Sequence, residues 1–308
     1  MKYRRFGRTG FEVSTISLGT VEIGMDYGIA ASRPDESEAA RLLHRALDIG
    51  VNFIDTARVY GEAEAIIGRA IAERRNEFVL VSKVLSCEGE ALPADALRTR
   101  VRDSVHESLR LLRTDFIDVL MIHSAPLAVI QRGEVLGVLQ ELKSEGAIRA
   151  IGASVYGEET ALAAIAAGGY DCLQIAYNVL DRRPEPRLFA AAETADVGLV
   201  ARSVLLKGAL TDRYRHLPEG LSDLNAAVER MAQLAGGGMA ALPEFAYRYV
   251  LSQPWLQSAL VGAGNIEELE AAVRFEEMGP LSPQMIGAVH GIPMPDPFYL
   301  NPGNWPSS

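Results

Sequence analysis

The order of apolar and amphipathic segments in this chain predicts a (β/α)8 barrel, also called a TIM barrel. Eight short apolar runs alternate with helical patterns along most of the 308 residues, which matches the rhythm of eight βα units. Several of these runs are apolar on both faces, as expected of strands that are covered by helices outside and packed together inside. No Pro-, Gly- or Ser-rich linker divides the chain, so we expect residues 1–308 to form one domain.

The predicted strands follow one another at regular intervals, at residues 15–20, 51–55, 77–83, 115–123, 147–154, 172–178, 198–203 and 257–264. A capping box formed by Asp35 and Glu38 predicts the start of the first helix. The apolar stripe of that helix has a period of about 3.6 residues and consists of Ala39, Leu42, Leu43, Ala46 and Leu47. Further helices are expected near 61–74, 94–112, 133–145, 158–167, 185–195, 239–252 and 265–276. Gly50, Gly146 and Gly198 are expected to stop helices.

Three segments do not fit the βα rhythm. Residues 2–14, arranged around "GRTG", predict a β-hairpin that precedes the barrel. Residues 204–238 are too long for a simple βα loop and are interpreted as a loop insertion. Residues 277–308 are rich in Pro and Gly, and form either an ordered C-terminal loop over the barrel mouth or a loose end. A doubly wound sheet is the alternative fold, but it would usually have fewer strands or a second domain.

Composition and charge exclude several classes of protein. The net charge of −10 and the isoelectric point near 5.1 argue against nucleic-acid binding, which requires a clustered basic face. No apolar run approaches the length of a membrane span, and the basic N-terminus lacks the apolar stretch of a secretory signal. Two cysteines, Cys87 and Cys172, cannot form a disulfide framework, so we expect a cytoplasmic protein.

Polar residues at the carboxyl ends of barrel strands converge on one mouth. Asp55, Lys83 and His123 end the second, third and fourth predicted strands, and Tyr60 follows Asp55 by five residues. A charged Lys83 would offset the buried charge of Asp55, and we expect it to lower the pKa of the Tyr60 phenol towards neutrality. Such a phenol could exchange a proton with a carbonyl oxygen, which His123 would help to hold. The alternative is that Asp55 and Lys83 form a purely structural buried pair.

These residues lie in segments that resemble the aldo-keto reductase family. The segment "DTARVYGEAEAIIG" (55–68) resembles the family's Asp-Thr-Ala-x-x-Tyr-Gly-x-x-Glu motif, while "LVSKV" (80–84) and "FIDVLMIHS" (116–124) provide the lysine and the histidine. The resemblance extends over nearly the whole chain. It implies that Asp55, Tyr60, Lys83 and His123 form the catalytic set of an oxidoreductase.

The same resemblance implies an extended nicotinamide dinucleotide in the barrel mouth and no metal. Ser154 and Gln174 would hold the carboxamide, although Val155 replaces the usual Asn, and Arg202 occupies the position of the stacking aromatic ring. In full, the implied cofactor-binding residues are Thr20, Ser154, Gln174, Arg202, Ser203, Leu205, Gly208, Gly262, Gly264 and Glu268.

The cofactor and the substrate remain less defined. Gly264 replaces the family's cation for the 2′-phosphate, so both NADP(H) and NAD(H) are candidates, and only the family's habit favours NADP(H). Two alternatives to a reductase stay open: an NAD-dependent sugar or polyol dehydrogenase, and a cofactor-sensing subunit on the same fold. Tyr27, Phe298 and Tyr299 are candidates to line the substrate pocket, although aromatic residues of a C-terminal tail also pack against barrels for stability. The substrate is expected to be a small carbonyl compound or alcohol; its identity, which depends partly on the loop 21–34, and the oligomeric state are not predicted.

Overall fold

The computed structural model describes residues 1–29, 33–90 and 92–306. Residues 30–32 of the predicted substrate loop and residues 307–308 of the predicted tail lie outside the described residues. The strands of the described part are β1 (Tyr3–Arg5), β2 (Glu12–Ser14), β3 (Ile16–Gly19), β4 (Phe53–Asp55), β5 (Val79–Leu85), β6 (Ile117–His123), β7 (Ile148–Val155), β8 (Cys172–Ala176), β9 (Gly198–Arg202) and β10 (Ser258–Gly262).

The helices surround these strands and follow them in chain order. They are α1 (Val21–Gly24), α2 (Glu36–Asp48), α3 (Ala63–Ala70), α4 (Ala94–Leu112), α5 (Leu127–Arg132), α6 (Glu134–Ser144), α7 (Glu158–Ala167), α8 (Leu188–Thr194), α9 (Ser222–Leu234), α10 (Leu242–Leu251), α11 (Ile266–Glu277) and α12 (Pro283–His290). Short 3-10 helices occur at Gly7–Thr9, Ala72–Glu77, Leu206–Gly208, Asp212–His216, Gly238–Ala240, Pro297–Leu300 and Pro302–Asn304. None of the helices within the described residues is long and apolar enough to cross a bilayer.

Strands β3 to β10 form the predicted closed parallel barrel, in which β10 pairs with both β9 and β3. Each of the eight predicted apolar runs overlaps one of these strands, so the prediction of a (β/α)8 barrel is confirmed. Because the strands are parallel, their carboxyl ends meet at one mouth. The neighbouring strands β4, β5 and β6 therefore bring the ends that carry the predicted catalytic residues side by side.

The predicted N-terminal hairpin is also confirmed, since β1 and β2 pair antiparallel. Its Phe6 is fully buried in a cluster with inward-facing strand residues, and its ring centroid lies 5.2 Å from that of Phe53. A Cβ atom on Gly198 would come within 2.5 Å of the Phe6 ring. Gly198 therefore begins β9 at a place where the hairpin packs closely. The prediction that Gly198 stops a helix was wrong. Gly50 and Gly146, by contrast, have the positive φ of glycines that stop helices.

Two predicted irregular segments contain regular structure. The proposed loop insertion at 204–238 includes the 13-residue helix α9, and the proposed tail at 277–308 includes α12. Helix α9 buries one stripe, made of Leu224, Ala227, Val228, Met231 and Ala232. This stripe has helical spacing and was readable from the sequence. Helix α12 starts at an N-cap, where the hydroxyl of Ser282 accepts from the Met285 N–H, and it begins with Pro283.

Candidate active site

Asp55 and Lys83 form an ion pair inside the barrel mouth. Asp55 is the last residue of β4, and Lys83 lies on the adjacent strand β5. The Lys83 ammonium donates to Asp55 Oδ2 at 2.6 Å and to the Thr56 carbonyl at 2.9 Å, and both charged side chains are almost fully buried. Burial lowers the pKa of Lys83, while the carboxylate of Asp55 opposes this shift. The predicted pairing of acid and lysine is therefore confirmed.

The second carboxylate oxygen and the backbone carbonyl of Asp55 also accept hydrogen bonds. Gln174 Nε2 donates to Asp55 Oδ1 at 2.9 Å. The backbone N–H and the hydroxyl of Thr20 both donate to the Asp55 carbonyl oxygen, each at 3.0 Å. Two residues predicted to bind cofactor thus support Asp55 in this structure. Ser154 lies opposite Gln174, on the neighbouring strand β7.

Tyr60 lies above this pair, in the loop between β4 and α3. Its ring centroid is 5.0 Å from Lys83 Nζ and 5.6 Å from the His123 ring, which it meets edge to face at 85°. The loop fits closely against α1, because a Cβ atom on Gly24 would fall 1.9 Å from the Tyr60 carbonyl oxygen. The four residues of the predicted catalytic set therefore lie together at one mouth.

The pKa of Tyr60 differs from the prediction. Burial, followed by the negative charge of Asp55, raises the pKa of the phenol far above its ordinary value, and only Arg202 opposes this to a lesser degree. The expected lowering by Lys83 was wrong, because the charge of Lys83 is compensated by Asp55 at 2.6 Å. Tyr60 is consequently a protonated hydroxyl at neutral pH, so it has a proton to donate.

His123 is the last residue of β6 and is largely buried beside Tyr60. Burial lowers the pKa of His123 to about 3, and the positive charges of Lys83 and Arg202 act in the same direction. The imidazole is therefore neutral at physiological pH. In this state one ring nitrogen donates a hydrogen bond and the other accepts one.

Arg202 ends β9 and faces the same mouth. Its guanidinium carbon lies 3.9 Å from the centroid of the Tyr156 ring, a cation–π contact. It donates to the Ser203 hydroxyl at 3.2 Å and to the Val155 carbonyl at 3.4 Å, while its Nε is buried without a partner among the described residues. Sequence reasoning identified Arg202 but missed Tyr156, because the two become neighbours only when β7 and β9 are brought together.

The segment after β9 has an unusual backbone. Ser203, Leu206 and Lys207 have φ values of 59°, 45° and 57°, in the left-handed region that residues with side chains rarely adopt. Such strain is concentrated at ligand-binding and catalytic segments. The predicted cofactor-binding residues Ser203, Leu205 and Gly208 all lie in this strained segment, and Gly208 has a φ of 98°.

The residues predicted to line the substrate pocket, Tyr27, Phe298 and Tyr299, lie in two different places. Lys207 Nζ lies 5.5 Å from the Tyr27 ring and 5.9 Å from the ring of Trp305, so the C-terminal segment reaches the loops around the mouth. Phe298 and Tyr299 pack against each other at 5.3 Å, and Phe298 is 55% exposed. Tyr27 therefore lies beside the strained segment, while Phe298 points largely to solvent.

The last group of predicted cofactor residues lines a cavity of about 480 Å³ between α2 and the start of α11. Glu268 bridges two sides of it by accepting from Arg213 at 2.7 Å and from the Gly264 N–H at 3.0 Å. A Cβ atom on Gly262 would come within 2.3 Å of Glu22 Oε1, so a larger residue there would have to displace the Glu22 carboxylate. The lining residues are Glu22, Arg33, Pro34, Glu38, Arg41, Arg213, Gly262, Gly264, Asn265, Ile266, Glu267 and Glu268.

Sequence reasoning missed most of this lining. The residues contributed by α1 and by the start of α2 belong to no motif at the barrel mouth, and they reach Gly264 only because β3 and β10 are neighbours in the closed barrel. Within the part of the chain that the structure describes, no cluster of His, Cys, Asp and Glu could hold a metal ion.

The fold and this mouth define the class of protein: a barrel with a buried acid–lysine pair beneath a phenol and a neutral imidazole. The sequence model of the aldo/keto reductase family matches residues 15–292, and the chain belongs to this family of oxidoreductases.

Individual relatives agree with this assignment. The chain is 33% identical to the aldo-keto reductase YhdN of Bacillus subtilis, with 88% of this chain and 87% of the relative covered. It is 26% identical to the uncharacterized oxidoreductase YqkF of the same organism, covering 94% of this chain and 95% of that one. Among solved structures, the holo form of aldo-keto reductase AKR11C1 from Bacillus halodurans superposes with a TM-score of 0.78 at 26% identity, covering 95% and 96% of the two chains.

Proposed function

We propose that this protein is an NAD(P)H-dependent reductase of small-molecule aldehydes, ketones or sugars in which Tyr60 is the general acid. The observation that carries this proposal is the position of Tyr60, whose ring lies 5.0 Å from the ammonium of a buried Lys83–Asp55 pair and edge to face with His123. A phenol, a buried cation and a neutral imidazole at one point suit proton transfer to a carbonyl oxygen.

Each residue has a distinct part in this reaction. The substrate carbonyl oxygen would accept hydrogen bonds from the Tyr60 hydroxyl and from a His123 N–H. As the carbonyl carbon gains a hydride, the oxygen takes the Tyr60 proton, and the product is an alcohol. The Lys83 ammonium then faces a phenolate, whose negative charge it stabilises in a site that excludes water. Asp55 keeps Lys83 charged and in position.

Features of the mouth fit a nicotinamide dinucleotide, which supplies the hydride when bound. The cavity of about 480 Å³ beside Gly262 and Gly264 has room for an adenosine group, and the Arg202 Nε is a buried donor without a protein partner among the described residues. Ser154 and Gln174 would hold the carboxamide, and Arg202 would lie along the nicotinamide. Ser203, Leu205 and Gly208 would follow the pyrophosphate, and Gly262, Gly264 and Glu268 the adenosine.

The raised pKa of Tyr60 bears on the direction of the reaction. Because burial and Asp55 raise the pKa of Tyr60, the phenol is protonated at neutral pH, which is the form that reduction uses, whereas oxidation of an alcohol would need the phenolate. The reductive direction is therefore preferred over the sugar or polyol dehydrogenase. An intact and correctly assembled catalytic set also argues against a pure sensor of the cofactor.

A turnover screen in both directions tests the proposal. Purified protein is assayed with NADPH and NADH against aldehydes, ketones and open-chain sugars, and with the oxidised dinucleotides against the corresponding alcohols, all at neutral pH. The reductase predicts faster turnover of at least one carbonyl compound than of its alcohol. Turnover of alcohols alone would favour the dehydrogenase, and dinucleotide binding without any turnover would favour the sensor.

A further inference from the structure

The cavity beside Gly264 contains arginines from an element that the sequence motifs do not include. Three arginines line it: Arg33 and Arg41, at the entry and in the second turn of α2, and Arg213, which follows β9. The Gly264 position itself contributes no charge. Two of the three cavity arginines therefore lie on the α2 side, across from the loop that starts α11.

These arginines differ in their partners. Arg213 is neutralised by Glu268 at 2.7 Å. Arg33 donates through Nε to the Ile23 carbonyl at 3.1 Å, and Arg41 donates to the Ser37 hydroxyl at 2.8 Å. Neither Arg33 nor Arg41 forms an ion pair with a carboxylate in residues 1–29, 33–90 and 92–306. Both guanidinium groups thus lack a direct carboxylate partner among the described residues, and they can donate to a ligand in the cavity.

Four carboxyl groups line the cavity beside the three arginines, so its formal charge is not positive, but none of the four forms an ion pair with Arg33 or Arg41 among the described residues. Glu268 is paired with Arg213, and Glu38 accepts from the Asp35 N–H at 3.1 Å in the capping box at the positive end of α2. Burial raises the pKa of Glu22 to about 7, so this carboxyl is only partly charged at neutral pH. The remaining carboxylate is Glu267, in the first turn of α11.

We infer that Arg33 and Arg41 bind the 2′-phosphate of NADP(H) and thereby make this enzyme prefer NADP(H) over NAD(H). The inference rests on the proposed function, in which the segment 262–268 holds the adenosine group of a dinucleotide. A guanidinium matches the geometry of a phosphate and can donate two parallel hydrogen bonds to it. Two such groups on the opposite wall of the cavity replace the cation that position 264 lacks.

Isothermal titration with adenosine 2′,5′-bisphosphate and with 5′-AMP isolates the 2′-phosphate from the rest of the cofactor. The wild-type protein is expected to bind the bisphosphate at least about tenfold more tightly, the effect of one charge-assisted hydrogen bond. Arg33→Ala and Arg41→Ala should each bring this ratio towards one and leave the affinity for 5′-AMP unchanged. Arg45→Ala is the matched control, because Arg45 lies on the same helix but pairs with Glu270 at 2.7 Å.

A gain-of-function variant keeps the test independent of folding. A Cβ atom on Gly264 meets no atom within 4 Å, so the backbone leaves space for a side chain to start there, and Gly264→Arg adds a cation at the cavity. Introduced into Arg41→Ala, it should restore the preference for the bisphosphate.

Two results would overturn the inference. The first is equal wild-type affinity for the two nucleotides, and the second is an unchanged ratio in both arginine variants. If NADH still bound and supported turnover in either case, the proposed reductase would stand and only the arginine assignment would fail. Absence of binding by both nucleotides and both dinucleotides would remove the reductase as well.

Discussion

Replacement of Asp55 by Asn should destabilise the protein in a pH-dependent way. The introduced amide would still accept from Gln174 Nε2 through its oxygen, as Asp55 Oδ1 does at 2.9 Å, and would then direct its NH2 group at the Lys83 ammonium, 2.6 Å from the present Oδ2. Two donors would face each other, and a fully buried cation would lose its counter-charge. Removal of one partner of a buried pair typically costs about 3–5 kcal/mol of unfolding free energy.

The pH dependence follows from the protonation of Lys83. Burial lowers the pKa of Lys83, and without Asp55 nothing of comparable strength opposes that shift. The unfolded chain then binds more protons than the folded one between this lowered pKa and the ordinary lysine value of about 10.4. Stability rises with pH wherever the unfolded state binds more protons. The cost of Asp55→Asn is therefore full at low pH and shrinks as the pH rises through the lowered pKa of Lys83.

Urea unfolding at pH 6 and pH 9, followed by circular dichroism, measures both effects. The double variant Asp55→Asn with Lys83→Met should recover much of the lost free energy, because it leaves no unpaired buried charge. Glu134→Gln is the control, since Glu134 forms only an exposed ion pair with Arg132, and it should leave the transition unchanged. A loss below about 1 kcal/mol, or an equal loss at both pH values, would refute this reasoning.

Two further predictions concern the mouth and the cavity. Because burial lowers the pKa of His123 to about 3, titration of this residue should produce no step near pH 6.5 in the pH profile of kcat at saturating dinucleotide. A step near pH 6.5 that disappears in His123→Gln would mean that the imidazole is more exposed than the structure indicates. Gly262→Ala should weaken dinucleotide binding about tenfold or more, since its Cβ atom would come within 2.3 Å of Glu22 Oε1 and would displace that carboxylate in the cavity. Gly264→Ala, whose Cβ atom meets nothing within 4 Å, should bind as the wild type does in the same fluorescence titration; equal losses in both variants would contradict the role of the close contact.

The barrel could be predicted because its evidence is local and repeated. Each strand is a short apolar run and each helix an apolar stripe, so eight repeats identify the fold even where one boundary is inexact. Helix α9 was missed although its stripe was readable, because the length of 204–238 suggested a loop. Helix α12 was hidden among Pro and Gly residues, whose usual place is in turns.

The catalytic residues could be predicted because parallel strands leave no choice about where their carboxyl ends meet. The pKa of Tyr60 could not, because it depends on how completely Asp55 compensates Lys83 and on the burial of the phenol. Arg33 and Arg41 were also beyond sequence reasoning. They reach the segment at Gly264 only through the closure of the barrel, which no short motif records.

The most direct measurement of the central claim is single-turnover hydride transfer in Tyr60→Phe. A preformed complex of the variant with reduced dinucleotide is mixed with excess carbonyl substrate. Oxidation of the dinucleotide is then followed by stopped flow. The rate should fall by about 100-fold or more, the usual contribution of a general acid. Dinucleotide affinity should stay at the wild-type value, and Tyr3→Phe, in the hairpin outside the mouth, should retain the full rate. A Tyr60→Phe rate close to that of the wild type would contradict the assignment of Tyr60 as the proton donor.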